Sequence, residues 1–112
     1  IHTFRGRKQM TVSEENKIFI EDIKKYLEEN SPEAILWENC ESALFGTARL
    51  FREGSWREVS MYDYELLVQN FMREFREEGK TDEELEQEAI EWVDFNISSV
   101  YVGPYTPLIL YN

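Results

Sequence analysis

A capping box marks the start of the helix that most constrains this fold. Thr81 stands three residues before Glu84, the spacing at which each side chain bonds the backbone amide of the other residue. Acidic residues fill the following turn, where the helix dipole favours negative charge. Apolar residues then recur at helical spacing until about Ser98: Leu85, Ala89, Trp92, Val93 and Ile97. This stretch predicts an amphipathic helix.

Three further stretches predict helices from the spacing of their apolar residues. The first follows a capping residue at Thr11 or Ser13 and ends at Asn30, ahead of a proline that disfavours helical geometry. The second runs from residue 41 to residue 52. The third follows the capping residue Asp63 and continues to about residue 78. A glycine stands within two residues after each of these last two helices, where helices commonly end.

Three short stretches predict strands. Residues 56–62 alternate between bulky and polar side chains, which is the pattern of a half-buried strand. Residues 34–37 form an apolar run that periodicity cannot assign. Pro32 at a first helical position suits a helix, whereas the shortness of the run suits a strand, which we favour. With a terminal strand at residues 108–111, the sequence predicts an α+β fold of about four helices packed on a small sheet of about three strands.

The size and charge of the chain indicate one small acidic domain. Its 112 residues are enough for one hydrophobic core and too few for two. An aromatic content of 14% separates it from acidic disordered tails. Residues 1–9 carry Arg5, Arg7 and Lys8 and no acid, so they are either an appended or upstream segment or a basic arm. Residues 10–112 then form a single domain. Its net charge is more negative than the formal -11 of the whole chain.

The inventory of reactive side chains excludes several chemistries. Cys40 and His2 are the only residues of their kinds, which leaves no internal disulfide, no catalytic triad and no zinc site of histidine and cysteine ligands. We expect Cys40 to be a small buried residue, and we expect no cofactor. A lone cysteine fits a reducing cytoplasm, and no apolar run approaches the roughly 20 residues of a membrane-spanning helix.

Four residues mark a candidate cluster of oxygen ligands. Glu38 and Glu41 follow one predicted strand, Asp63 follows another, and Asn96 lies near the end of the capped helix. Carboxylates that converge at one end of a sheet bind hard cations or carry out acid–base chemistry. No calcium-binding loop of fixed spacing is present, so we assign no metal, and helix caps and solvated surface are the alternative explanation.

The capped helix carries a long run of acids. No Lys or Arg interrupts this set, which consists of Asp82, Glu83, Glu84, Glu86, Glu88, Glu91 and Asp94. Such a run is typical of a solvated face that keeps a small protein soluble. The absence of nearby lysine, which would relieve the repulsion between the acids, also indicates a surface that docks on a basic protein and competes with nucleic acid. The net charge disfavours direct binding of the domain to nucleic acid.

Several short motifs cover much of residues 33–111. They read Ala-Ile-Leu-Trp-Glu followed by Ala-Leu-Phe-Gly, then Tyr-Asp-Tyr-Glu, and then Phe-Asn followed by Tyr-Val-Gly-Pro-Tyr-Thr-Pro-Leu-Ile. As a set they resemble a family of small acidic proteins encoded by bacterial phages and prophages. The resemblance implies a mobile-element origin and a location in the bacterial host cell. It does not indicate an activity.

Charge and resemblance together predict a non-enzymatic phage-type accessory protein that binds a basic host protein through its acidic surface. A nucleic-acid-binding defence complex is such a partner, which the protein would inhibit in the manner of an anti-CRISPR protein. Two alternatives stay open. One is a small metal-dependent enzyme that uses the carboxylate cluster, and the other is a structural homo-oligomer that associates through Trp56, Tyr101 or Tyr105.

Overall fold

The computed structural model describes residues 12–111, so the predicted basic segment 1–9 lies outside the described residues. Three α-helices and three strands form the regular structure of this part: α1 (Val12–Asn30), β1 (Leu44–Arg52), β2 (Ser55–Asp63), α2 (Tyr64–Glu74), α3 (Asp82–Val93) and β3 (Leu108–Leu110). The predicted α+β class is confirmed, and the prediction of four helices is wrong. None of the described helices combines the length and the apolar character needed to cross a membrane.

The helix predicted over residues 41–52 does not form. Residues Glu41–Ala43 make one short 3₁₀ turn, and β1 follows directly. β1 and β2 form an antiparallel hairpin across a two-residue turn, in which Glu53 and Gly54 both have positive φ angles of 49° and 86°. A turn of this kind matches the twist of the paired strands. Backbone pairing with β2 therefore overrides the helical spacing of the apolar residues in this stretch.

β2 is the central strand of a mixed sheet, antiparallel to β1 and parallel to β3. The prediction of a strand at residues 34–37 is wrong, since this segment is irregular. The Ser60 hydroxyl of β2 donates to the carbonyl oxygen of Ile35 at 2.7 Å. The Tyr62 hydroxyl of the same strand accepts a hydrogen bond from the Trp37 amide at 2.9 Å. Side chains of β2 thus form hydrogen bonds with the backbone of residues 34–37. This segment therefore lies against the sheet without joining its backbone hydrogen bonds.

One hydrophobic cluster joins all three helices to the sheet. Its largest fully buried side chains are Tyr62 from β2 and Leu67 from α2. α3 contributes Ala89 and Val93, and a wider helical turn after α3 contributes Ile97, so the helical stretch extends to Ser98 as predicted. α2 contacts both β2 and α3. Because α3 packs mainly on α2, it is an outer helix, and its six acids are exposed.

Cys40 is buried, as the sequence predicts. Loss of solvation raises the pKa of its thiol to about 11, and the thiol donates to the carbonyl oxygen of Glu38 at 3.4 Å. Only the thiolate attacks a disulfide reagent. At about pH 8 we therefore expect Ellman's reagent to modify the folded protein about 100-fold more slowly than the protein unfolded in urea. Equal rates in the two states would contradict a buried thiol of raised pKa.

Candidate partner-binding surface

α3 is anchored by its apolar side and by the predicted capping box. Leu85, Ala89 and Val93 are buried. The Thr81 hydroxyl accepts a hydrogen bond from the Glu84 amide at 3.1 Å, and the Glu84 carboxylate accepts one from the Thr81 amide at 3.0 Å. The hydrogen bond from the Thr81 amide to the carboxylate is the main cause that lowers the pKa of Glu84. Glu84 therefore holds the start of the helix, and its charge is engaged within the domain.

The link between α2 and α3 brings cations to the acidic run. α2 ends earlier than predicted, and the link that follows it contains Arg76 and Lys80. Arg76 pairs with Asp82 at 3.3 Å between exposed side chains. Lys80 pairs with Glu88 at 2.8 Å. Two acids of the run are thus compensated by residues that stand outside it in the sequence.

Three acids of the run have carboxylates without a partner among the described residues. Asp94, at the end of α3, accepts a hydrogen bond from the Tyr64 hydroxyl at 2.7 Å. Glu83, Glu86 and Glu91 are exposed, and no hydrogen bond or ion pair joins their side-chain carboxylates to any residue in the described part of the chain. We refer to these three side chains as the open carboxylates. They are the part of the predicted surface whose charge is available to another molecule.

An aromatic groove runs along one side of α3. Trp92 packs on Phe71 with ring centres 4.2 Å apart and meets Phe75 edge to face at 6.1 Å. Lys80 also lines the groove, and its ammonium lies between the carboxylates of Glu88 and Glu77. We refer to this cavity of about 580 Å³ as the Trp92 groove, and its lining residues are Phe75, Glu77, Lys80, Glu88, Glu91 and Trp92.

A smaller groove of about 300 Å³ lies on the other side of α3. Tyr64 and Tyr111 form its aromatic part, with ring centres 4.8 Å apart. Glu86 and Ile90 of α3 also line it. Each side of the helix therefore combines aromatic side chains with one open carboxylate, Glu86 here and Glu91 at the Trp92 groove. Aromatic anchors within a polar rim are characteristic of protein-binding surfaces.

The predicted cluster of oxygen ligands has structural roles for two of its members. Asp63 caps α2, accepting a hydrogen bond from the Leu66 amide at 2.9 Å. The Asn96 side chain donates to the carbonyl oxygen of Trp92 at 3.0 Å. Glu38 is exposed, and Glu41 lines a cavity between α1 and the start of β1. Within residues 12–111, no group of three or more His, Cys, Asp or Glu residues is placed to hold a metal ion.

The aromatic residues considered for self-association differ in exposure. Trp56 is 62% exposed at the hairpin end and contacts Phe51 edge to face, with ring centres 5.5 Å apart. Tyr101 is also exposed, and its hydroxyl donates to the Glu53 carboxylate at 2.7 Å. Tyr105 is half-buried, with the Arg57 guanidinium 5.3 Å from its ring centre. Only the first two present their rings to the outside.

The candidate binding site is therefore the acidic and aromatic surface of α3. Its capping residues and acids follow from the sequence, whereas both grooves depend on how α3 packs against α2 and the C-terminal segment. Comparison with known protein families, with curated proteins and with solved structures gives no significant match to this chain.

Proposed function

We propose that this chain is a non-enzymatic accessory protein, of phage or prophage origin, that binds a basic protein in the bacterial cytoplasm through the surface of α3. Its effect is to occupy a nucleic-acid-binding site of that partner, as in a host defence complex. The observation that carries the proposal is the set of open carboxylates on an outer helix with no Lys or Arg of its own.

The charge distribution favours α3 over the other long helix as the docking surface. α1 intersperses Lys17, Lys24 and Lys25 among its acids, and Lys24 lies 3.9 Å from Glu21. α3 contains six acids, and within the described residues they form ion pairs only with Arg76 and Lys80 of the link. A negative surface of this kind steers a basic partner and opposes nucleic acid at the same site.

The test is affinity capture from a bacterial lysate at low and at high salt, with the bound proteins identified by mass spectrometry. The variant neutralises the open carboxylates by Glu83→Gln, Glu86→Gln and Glu91→Gln. We expect wild type to capture a basic protein at low salt and the variant to bind it at least about tenfold more weakly, since rim charges govern salt-sensitive association. Nucleic acid added in excess should displace the wild type from that partner.

A matched control separates the surface of α3 from net charge. Asp22→Asn, Glu28→Gln and Glu29→Gln remove the same number of charges from exposed positions of α1. The control should retain the partner. Equal loss in the two variants, or a partner that nucleic acid does not compete for, would contradict the proposal.

A further inference from the structure

Lys80 identifies the chemistry that the Trp92 groove accommodates. Its ammonium lies between two carboxylates, 2.8 Å from Glu88 and 3.0 Å from Glu77. The pKa of Lys80 is raised by its hydrogen bonds to these two groups. Glu91 lines the same groove and has no partner among the described residues. Three carboxylates and one ammonium therefore line the groove, which leaves an excess of negative charge there.

The aromatic part of the groove suits the same kind of group. Packing on Phe71 fixes the indole of Trp92, and 38% of this residue remains exposed. Lysine and arginine place their aliphatic stems on apolar surface and keep the charged end in a polar environment. Their charged ends are also attracted to aromatic faces. A partly exposed aromatic side chain next to carboxylates fits a cationic side chain better than an apolar or an acidic one.

We propose that the Trp92 groove receives a lysine or arginine side chain of the bound protein, and that Lys80 competes for this site from within the chain. The inference rests on the proposed function, because it assigns the partner's anchor on the surface of α3. The incoming cation lies over Trp92 near Glu91 and attracts Glu88 away from Lys80. Lys80 therefore limits the affinity of the groove for any partner that is only weakly basic.

The probe for this site is a short fluorescein-labelled peptide of alternating arginine and glycine, and fluorescence anisotropy measures its affinity at low ionic strength. The same peptide with glutamine in place of arginine is the blank. Lys80→Gln removes the competing ammonium, and Lys25→Gln, at an exposed position of α1, removes the same charge elsewhere. Trp92→Leu removes the aromatic ring, and Trp92→Phe keeps one.

Removal of the competitor should strengthen binding. We expect Lys80→Gln to bind the arginine peptide about three- to fivefold more tightly than wild type, and Lys25→Gln to change the affinity by less than about twofold. Trp92→Leu should bind about threefold more weakly, with Trp92→Phe closer to wild type. Thermal unfolding of each variant checks that it is folded, and the comparison of Lys80→Gln with Lys25→Gln preserves the test if Trp92→Leu does not fold.

The possible results separate this inference from the proposed function. If Lys80→Gln behaves as Lys25→Gln does, or if Trp92→Leu binds as wild type does, the groove is not the site. A variant with Glu83→Gln and Glu86→Gln neutralises two open carboxylates outside the groove. If only this variant weakens binding, the surface of α3 stands and the groove inference is overturned. If none of the α3 and groove variants changes binding, both are overturned.

Discussion

Replacing Leu67 with alanine should lower the free energy of unfolding by about 2 to 5 kcal/mol. Leu67 is fully buried in the cluster that joins α2 to the sheet and to α3. Truncation removes apolar contacts and leaves a cavity, because α2 is packed on two sides and cannot collapse into the space. Urea unfolding followed by circular dichroism measures the loss, and an unchanged m-value shows that the folded and unfolded states are comparable.

Leu66 provides the matched control one residue earlier on the same helix. It is 39% exposed, so Leu66→Ala should cost less than about 1 kcal/mol. The two variants have the same composition and nearly the same helix propensity. If they lose equal stability, Leu67 does not have the central place in the core that the structure gives it.

This pair also shows how far the sequence predicts the core. Helical spacing identifies α2 as an amphipathic helix, but adjacent leucines differ by about 100° around a helix, and either one can lie at the edge of the apolar side. Which of them is covered depends on where β2 and α3 lie. The same limit applies to Trp92, whose spacing predicts a core residue and whose side chain is partly exposed at a groove.

The main error of the sequence-based prediction is that it misses the hairpin of β1 and β2. Its turn is Glu53-Gly54, whereas the turns most readily recognised have Asn or Asp before the glycine. The four apolar residues that suggested a helix are Ala43, Leu44, Ala48 and Phe51. Periodicity in so short a stretch does not distinguish a helix from a strand when the stabilising partner is another segment. Gly54, whose position after the apolar stretch predicts a helix end, instead has one of the two positive φ angles of the turn.

The acidic run was predictable as a set of charges, and its internal pairing was not. The capping box depends on a local spacing and is present as predicted. The ion pair between Lys80 and Glu88 depends on the path of the link after α2, which no periodic pattern specifies. For this reason the sequence identifies seven acids of equal standing, and the structure reduces the available charge to Glu83, Glu86 and Glu91.

Replacing Tyr62 with phenylalanine should lower the free energy of unfolding by about 1 to 3 kcal/mol, although the ring is kept. The buried hydroxyl accepts the hydrogen bond from the Trp37 amide, and without it that amide loses its partner against the sheet. Tyr64→Phe is the matched control, since its hydroxyl bonds the exposed Asp94 carboxylate and water can replace it. The control should lose less than about 1 kcal/mol in the same urea titration.

The pH dependence of stability tests the same site, because raising the pH should weaken the contribution of Tyr62 to the free energy of unfolding. Burial raises the pKa of Tyr62 above its ordinary value of 10.0, so the folded protein keeps this phenol neutral. The unfolded chain ionises it near pH 10 and is stabilised as the pH rises further, so the contribution of Tyr62 is complete below about pH 10 and declines above it. The stability difference between wild type and Tyr62→Phe should therefore narrow from about pH 9 to about pH 11. A difference that stays constant over this range would show that the hydroxyl is solvated in the folded protein.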